Sequence, residues 1–243
     1  VELAAILLTG TLAGFLNVLA GGGSLITLPM LSFVGLPLDI ANGTNRIAIL
    51  MQNLVATNRF QRSGVKVLGL GLKLGLAATV GALVGAQIAV SLERELLEKV
   101  VGGLLLVMAV LLVFRPKMWT EPKARTGNVF LRYGSLAAVG IYGGFIQAGV
   151  GFFILLPLIL IEGLDLLRAN AVKVVIILVY TVPSLLLFLI NGKVHIGYGV
   201  FLGIGNILGA ELGARFAVLK GSKWIRVVLL IAVIFGATKY LVS

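Results

Sequence analysis

The stretch GFLNVLAGGGSLITLP, residues 14–29, decides how this chain is read. It begins as an apolar helix and is interrupted at Ala20-Gly21-Gly22-Gly23-Ser24, where three glycines let the backbone leave helical geometry. The apolar piece that follows, 24–34, cannot cross a bilayer alone, because about ten helical residues reach only ~15 Å. It reads as a half-helix or as the return arm of a re-entrant hairpin. Such a half-helix starts with unpaired N–H groups and the positive end of its dipole.

Working outward, the rest of the chain has the same solvent. Of 243 residues, 59% are hydrophobic and 12% charged, against about 25% charged in a soluble domain. The mean hydropathy is +1.11. Apolar segments run over 3–20, 24–34, 41–58, 67–90, 98–114, 133–148, 150–161, 169–190, 196–218 and 223–242. At roughly 20 residues per span this is room for about seven to nine helical segments. No alternating ten-residue strands suggest a β-barrel. The first segment lacks a basic leader and its pattern recurs later, so it is expected to belong to the fold and not to a cleaved signal. The formal charge of +11 resides in links between apolar runs, which is where cytoplasmic loop charge accumulates; a nucleic-acid surface is not needed to explain it.

The broken segment recurs. Pro29 meets Pro157 at an offset of 128 residues, and at that offset Gly35-Leu36 meets Gly163-Leu164 and Ala41-Asn42 meets Ala169-Asn170. Phe60 meets Phe188, Gly64 meets Gly192, Gly75 meets Gly203, and GALVGA (81–86) meets GAELGA (209–214). Upstream, GFLN (14–17) matches GFIQ (144–147) if two residues are dropped. The second break is then Gln147-Ala148-Gly149-Val150-Gly151, followed by the short piece 150–161.

Basic charge swaps between corresponding links. Arg59, Arg62 and Lys66 stand against Lys193 and His195, while Glu93, Arg94, Glu95, Glu98 and Lys99 stand against Lys220, Lys223 and Arg226. The expected fold is therefore an all-α integral membrane protein of two inverted repeats, each a glycine-broken, re-entrant helical hairpin followed by three transmembrane helices. The repeats cover 1–114 and 132–243. A basic cytoplasmic linker, 115–131, joins them.

Corresponding broken helices in two halves are the best pointer to a transport site. Facing half-helix N-termini make an anion site; the alternative is that the glycines only permit close packing. The expected substrate-binding residues are Asn17, Gly21, Gly22, Gly23, Ser24, Asn42, Asn45, Arg46, Gln147, Gly149, Gly151, Asn170 and Lys173. Asn42, Asn45, Gln52 and Asn53 share one helix face, as do Asn170, Lys173, Tyr180 and Thr181, with Ser184 a turn beyond. Gln52, Asn53, Tyr180 and Thr181 are expected to line a cavity. Arg46 and Lys173 would supply positive charge or else snorkel to an interface. Glu211 is either paired with Arg215 at i, i+4 or a proton-coupling site. Glycines repeating every fourth residue, as at 71 and 75 or 205, 209 and 213, read as packing seams. Trp119 and Trp224 read as interface anchors.

With no Cys and one His, no metal site, cofactor or catalytic triad is expected, and the reading is a transporter and not an enzyme. Residues 14–29 followed by ANGTNR (41–46), and GFIQAGVGFFILLP (144–157) with ANAVK (169–173), resemble the TauE/SafE sulfite-exporter family of prokaryotic membrane proteins over nearly the whole chain. The resemblance implies a small secondary transporter of the cytoplasmic (inner) membrane, with sulfite, sulfonates such as sulfoacetate, or related anions as substrates. Its partners would be that anion, the bilayer and the proton gradient; a homo-oligomer is compatible with this reading. Another small anion, or passive conduction through a channel, are the alternatives.

Overall fold

The computed structural model describes residues 2–93, 95–96 and 128–242. The expected segment 98–114, the linker core 115–127 and Trp119 lie outside the described residues. Among the described residues there are eight helices and no strand: α1 (Glu2–Leu19), α2 (Ser24–Phe33), α3 (Leu38–Arg62), α4 (Leu68–Ser91), α5 (Val129–Phe145), α6 (Val150–Leu160), α7 (Leu166–Ile190) and α8 (Ile196–Val242). The expected helices 196–218 and 223–242 are continuous in α8 except at Gly221, whose φ of 69° and ψ of −173° interrupt the helix.

Among the described residues four stretches are long and apolar enough to cross a membrane: α1, α4, α7 and the Ile196–Ser222 part of α8. Helix α3 matches α7 in length, 25 residues each, but its polar stripe takes it out of that set. A helix this polar is tolerated in a membrane only behind other helices. Asn42, Asn45, Arg46, Gln52 and Asn53 are accordingly all buried.

The repeat is written into the backbone. Helices α3 and α7 begin at Leu38 and Leu166, and α4 and α8 at Leu68 and Ile196, both at the offset of 128. Among the described residues six of the seven positive-φ glycines form pairs at the same offset: Gly21 with Gly149, Gly35 with Gly163, and Gly64 with Gly192. Only glycine adopts this left-handed geometry without strain, so the turns as well as the helices are duplicated.

The two halves interlock by exchange. Helix α1 packs along α8 and α5 along α4, while α3 packs on α8 and α4 on α7. Glycines make these approaches possible. A Cβ on Gly71 or Gly75 would strike Val175 or Val179 of α7, and one on Gly199 or Gly203 would strike Ile47 or Met51 of α3. These four contacts are again related by 128. Gly205, Gly209 and Gly213 sit against Leu7, Thr11 and Phe15, and Gly81 and Gly85 against Ala137 and Ile141. The glycine seams are thus backbone-to-backbone packing surfaces.

The same contacts correct the upstream register. Thr11 corresponds to Ala137 and Phe15 to Ile141, so α1 and α5 are related by 126 residues and not by the 130 that aligns GFLN with GFIQ. The difference is one helical turn. As a result Asn17 corresponds in space to Gly143.

Helices α3 and α7 run with their ends reversed. Lys193, just past α7, donates to Asp39 in the first turn of α3 at 2.7 Å, and Gly64–Lys66, just past α3, share a cavity of about 380 Å³ with Asp165, Leu167 and Arg168 at the start of α7. Asp165 caps α7 by accepting from the N–H groups of Leu167 and Arg168, each at 3.0 Å. Helix α1 runs parallel to α8 and α2 returns to the end where α3 begins. Helix α5 runs parallel to α4 and α6 returns to the end where α7 begins. Each hairpin therefore enters and leaves at one end of the bundle, and the two use opposite ends.

Candidate substrate site at the two helix breaks

The two glycine breaks touch. A Cβ on Gly21 would collide with the backbone of Gly151, and one on Gly151 with the backbone of Gly21. Gly22 lies against the Phe152 ring. The start of α2 and the start of α6 are thereby brought together inside the bundle. Both breaks are buried, from Ala20 to Ser24 and from Gln147 to Gly151.

Around the first break the polar side chains are linked to one another, with Asn53 Oδ1 and Asn206 Oδ1 left buried without a partner. Asn17 Oδ1 accepts from the Gly23 N–H at 2.7 Å, and Asn17 Nδ2 donates to Gln52 Oε1 at 3.3 Å. Gln52 Oε1 also accepts from Asn206 Nδ2 at 3.0 Å. Asn45 joins α3 to α2: its Nδ2 donates to Ser24 Oγ at 3.2 Å, and its Oδ1 accepts from the Thr27 hydroxyl at 2.8 Å. Asn53 turns back on its own helix, donating to the Ile49 carbonyl at 2.8 Å.

Around the second break Gln147 Nε2 donates to Thr181 Oγ1 at 2.7 Å. The N-cap of α6 is Gly149, with a φ of 68° and no side-chain cap. Tyr180 is fully buried beside it, with its hydroxyl directed at the Gln147 side chain.

Arg46 and Lys173 are fully buried, so neither snorkels. Both hold helix ends. Lys173 Nζ donates to the Asn17 and Val18 carbonyls at 3.0 Å each and to Asn170 Oδ1 at 2.6 Å. An ammonium has three donors, and all three are used. Its acceptors on α1 are in the last turn, where the dipole is negative. Arg46 does the same for α5, donating to the Gly143 carbonyl at 3.3 Å and to the Gly144 carbonyl, while Asn42 donates to the Phe145 carbonyl at 2.8 Å. The Phe188 ring lies 4.3 Å from the guanidinium, within range of a cation–π contact. Each half thus supplies a cation that caps the broken helix of the other half.

Two polar groups of this core escape a reading based on helix faces. Asn206 is a lone polar side chain in the apolar run FLGIGNILGA, and that isolation was its only signal. Thr27, one turn after Ser24, was legible only as a small residue in a short apolar helix.

Glu211 does not pair with its i, i+4 neighbour. Its Oε1 lies 3.4 Å from Arg59 Nη1 of α3, and the two side chains are 42% and 34% exposed, so the pair sits off the buried polar core. Exposed pairs of this kind contribute at most about 1 kcal/mol. Glu211→Gln is expected to leave both the thermal midpoint within a few degrees of the unaltered protein and the pH profile of transport unchanged. A flattened pH profile would assign the proton step to this pair.

The family profile described as "Sulfite exporter TauE/SafE" matches residues 6–240. The chain belongs to the TauE/SafE family. That family is one of membrane transporters and not of enzymes. A relative from Sinorhizobium sp., "Probable membrane transporter protein ORF9", is 30% identical over 98% of this chain and 92% of its own length. "Probable membrane transporter protein YfcA" of Escherichia coli is 31% identical over 90% of this chain and 82% of its own. "Probable membrane transporter protein YdhB" of Bacillus subtilis is 24% identical, covering 86% of each chain. No solved structure matches this TauE/SafE chain.

Proposed function

We propose that this TauE/SafE protein is a secondary transporter that exports small sulfur-containing anions, sulfite or sulfonates, holding the anion between the two broken helices. The observation that carries the reading is the contact of Gly21 with Gly151, which brings two helix N-termini together in a buried site flanked by two buried cations. Helix N-termini favour anions. Lys173 and Arg46 are bonded to neutral carbonyls, and among the described residues no carboxylate pairs with either. Glu162, the most buried carboxylate among the described residues, is ion-paired with Arg132 at the start of α5. Asn17, Ser24, Asn42, Asn45, Gln147 and Asn170 complete the polar surround.

The topology that fits is a pair of inverted repeats, 1–114 and 132–243, joined by the linker 115–131. The reversed α3 and α7 and the hairpins at opposite ends support it. Alternating access would come from rocking one half against the other around the breaks. The bundle end that carries Arg59, Arg62, Lys66, Arg132, Arg168 and Lys220 faces the cytoplasm of a prokaryotic inner membrane under the positive-inside rule. The end that carries Asp39, paired with Lys193, faces outward. The substrate or proton gradient would drive transport.

The test is ligand-dependent thermal stability of the purified protein with sulfite, thiosulfate, sulfoacetate, sulfate, acetate and chloride, followed by flux in proteoliposomes. A true substrate at a hundred times its dissociation constant adds about 2.7 kcal/mol to the native state. Selective stabilisation by a sulfur oxyanion with saturating flux is the expected result. Stabilisation by carboxylates alone would reassign the substrate class, and non-saturating flux would make the protein a channel.

A further inference from the structure

The two ends of the bundle are built from corresponding positions and are closed differently. At each end the turn past one long helix meets the start of the other, and the turns are the same. The Val65 N–H donates to the Phe60 carbonyl at 3.0 Å, and the Lys193 N–H donates to the Phe188 carbonyl at 2.9 Å. The side chains around them differ. Past α7, Lys193 Nζ donates to Asp39 Oδ2 at 2.7 Å, and the His195 N–H donates to Thr44 Oγ1 at 2.8 Å. Between these two bonds the Lys193 carbonyl rests on Gly43, where a Cβ would strike it.

At the offset of 128 residues the counterparts are Val65 for Lys193, Leu167 for Asp39, Val67 for His195, Val172 for Thr44 and Ala171 for Gly43. None of these side chains can form an ion pair or a hydrogen bond. Val65 and Leu167 instead line the cavity of about 380 Å³ between the end of α3 and the start of α7. The same two positions are therefore joined by an ion pair at one end of the bundle and line a cavity at the other. Inverted halves that rock about a central site open their two ends in alternation.

Resting on the transport reading and the orientation proposed above, we infer that the Asp39–Lys193 ion pair is the latch of the outward gate: it holds the outer end shut while the cytoplasmic end stands parted, and it breaks each time that end opens. The surroundings of the pair fit a bond that is made and broken. The Lys193 and Asp39 side chains are 36% and 14% exposed, so water replaces their bonds when they separate, and pairs within reach of water hold only weakly. Lys173 is the contrast, because its withdrawal would leave buried carbonyls without a donor. The cytoplasmic end needs no ionic latch. Shutting it brings Val65 and Leu167 together, apolar on apolar, with water expelled from between them. Lys66 and Arg168 also line that cavity and favour the arrival of an anion, while the Asp165 carboxylate is engaged in capping α7.

The chain contains no Cys, so Asp39→Cys with Lys193→Cys introduces the only two thiols. The full chain in proteoliposomes is treated with a short bifunctional methanethiosulfonate. Flux of sulfite, sulfate, sulfoacetate and acetate is measured before treatment, after it, and after reduction with dithiothreitol. Mass spectrometry counts the bridged chains, and the thermal midpoint in detergent reports on the fold. Flux is expected to fall in proportion to the fraction of chains bridged, with no fall in the midpoint, and to return on reduction. Each single-cysteine variant should keep through treatment the flux it had before. A second pair of variants needs no reagent: Asp39→Lys sets two cations together and is expected to slow flux, and adding Lys193→Asp to restore it. Undiminished flux through bridged chains would make the pair a static staple. That result, a failure to bridge, an equal loss in a single-cysteine variant, or no rescue by the exchanged pair would each overturn the latch while leaving anion transport standing. An unaltered protein that moves none of the four anions would overturn the transport reading and the latch with it.

Discussion

Gly21→Ala is expected to be strongly destabilising. Two effects combine at the position. Its φ is 82°, and the left-handed region costs a non-glycine residue about 1–2 kcal/mol. The new Cβ would also enter the backbone of Gly151, and over-packing a filled site costs about 1–3 kcal/mol more. A loss of about 2–5 kcal/mol should appear as a large drop in the thermal midpoint or as failure to accumulate in the membrane. Gly151→Ala makes the reciprocal collision without a positive φ, so it should be the milder of the two. A Gly21→Ala protein as stable as the parent would mean that the breaks do not meet.

The second large effect is at Lys173. Lys173→Met keeps the length of the side chain and removes three charge-assisted hydrogen bonds. The carbonyls of Asn17 and Val18 and the Asn170 amide oxygen would then be buried without their donor. Each such orphan costs about 1–3 kcal/mol, offset in part because a charge no longer has to be buried. The net expectation is a loss of about 2–4 kcal/mol, measured by denaturant or thermal unfolding in detergent. Transport should fall at least about tenfold, because ~1.4 kcal/mol of lost anion stabilisation already gives that factor. If Lys173→Met were as stable as the parent but inactive, the ammonium would be a substrate ligand and the bonds to α1 incidental. Stability lost with flux per folded molecule retained would make it a structural cap only.

These two residues show how the levels divide. The break at Gly21 was legible because glycine runs, short apolar segments and an exact recurrence all report on local backbone, and local backbone is encoded locally. The role of Lys173 was not. Its spacing from Asn170, Tyr180 and Thr181 placed it on a polar face, and its position inside an apolar segment required a partner. Neither fact names the partner, which is the carbonyl end of α1, more than 150 residues away in the chain. Arg46 repeats the lesson with the carbonyls of Gly143 and Gly144. Periodicity says which way a side chain points from its own helix axis and says nothing of what is packed opposite.

Glu211 fails in the same manner. An i, i+4 arginine is the nearest partner a single helix can offer, but α8 lies along α3, and Arg59 reaches the carboxylate first. The alignment of GFLN with GFIQ maximised identity, yet packing of α1 on α8 and α5 on α4 is governed by where small residues let backbones approach, and that choice shifts the pairing by one turn.

By itself, then, the sequence determined the solvent, the repeat and the two breaks. Composition excludes an aqueous surface, the offset of 128 duplicates turns and helices together, and glycine permits a break wherever it interrupts a hydrophobic run. Only the tertiary structure decided that the breaks touch and that each half caps the other's broken helix with a buried cation. The physical reason is range: backbone conformation follows from neighbours a few residues apart, whereas the fate of a buried charge or donor depends on groups that folding brings from the other half of the chain.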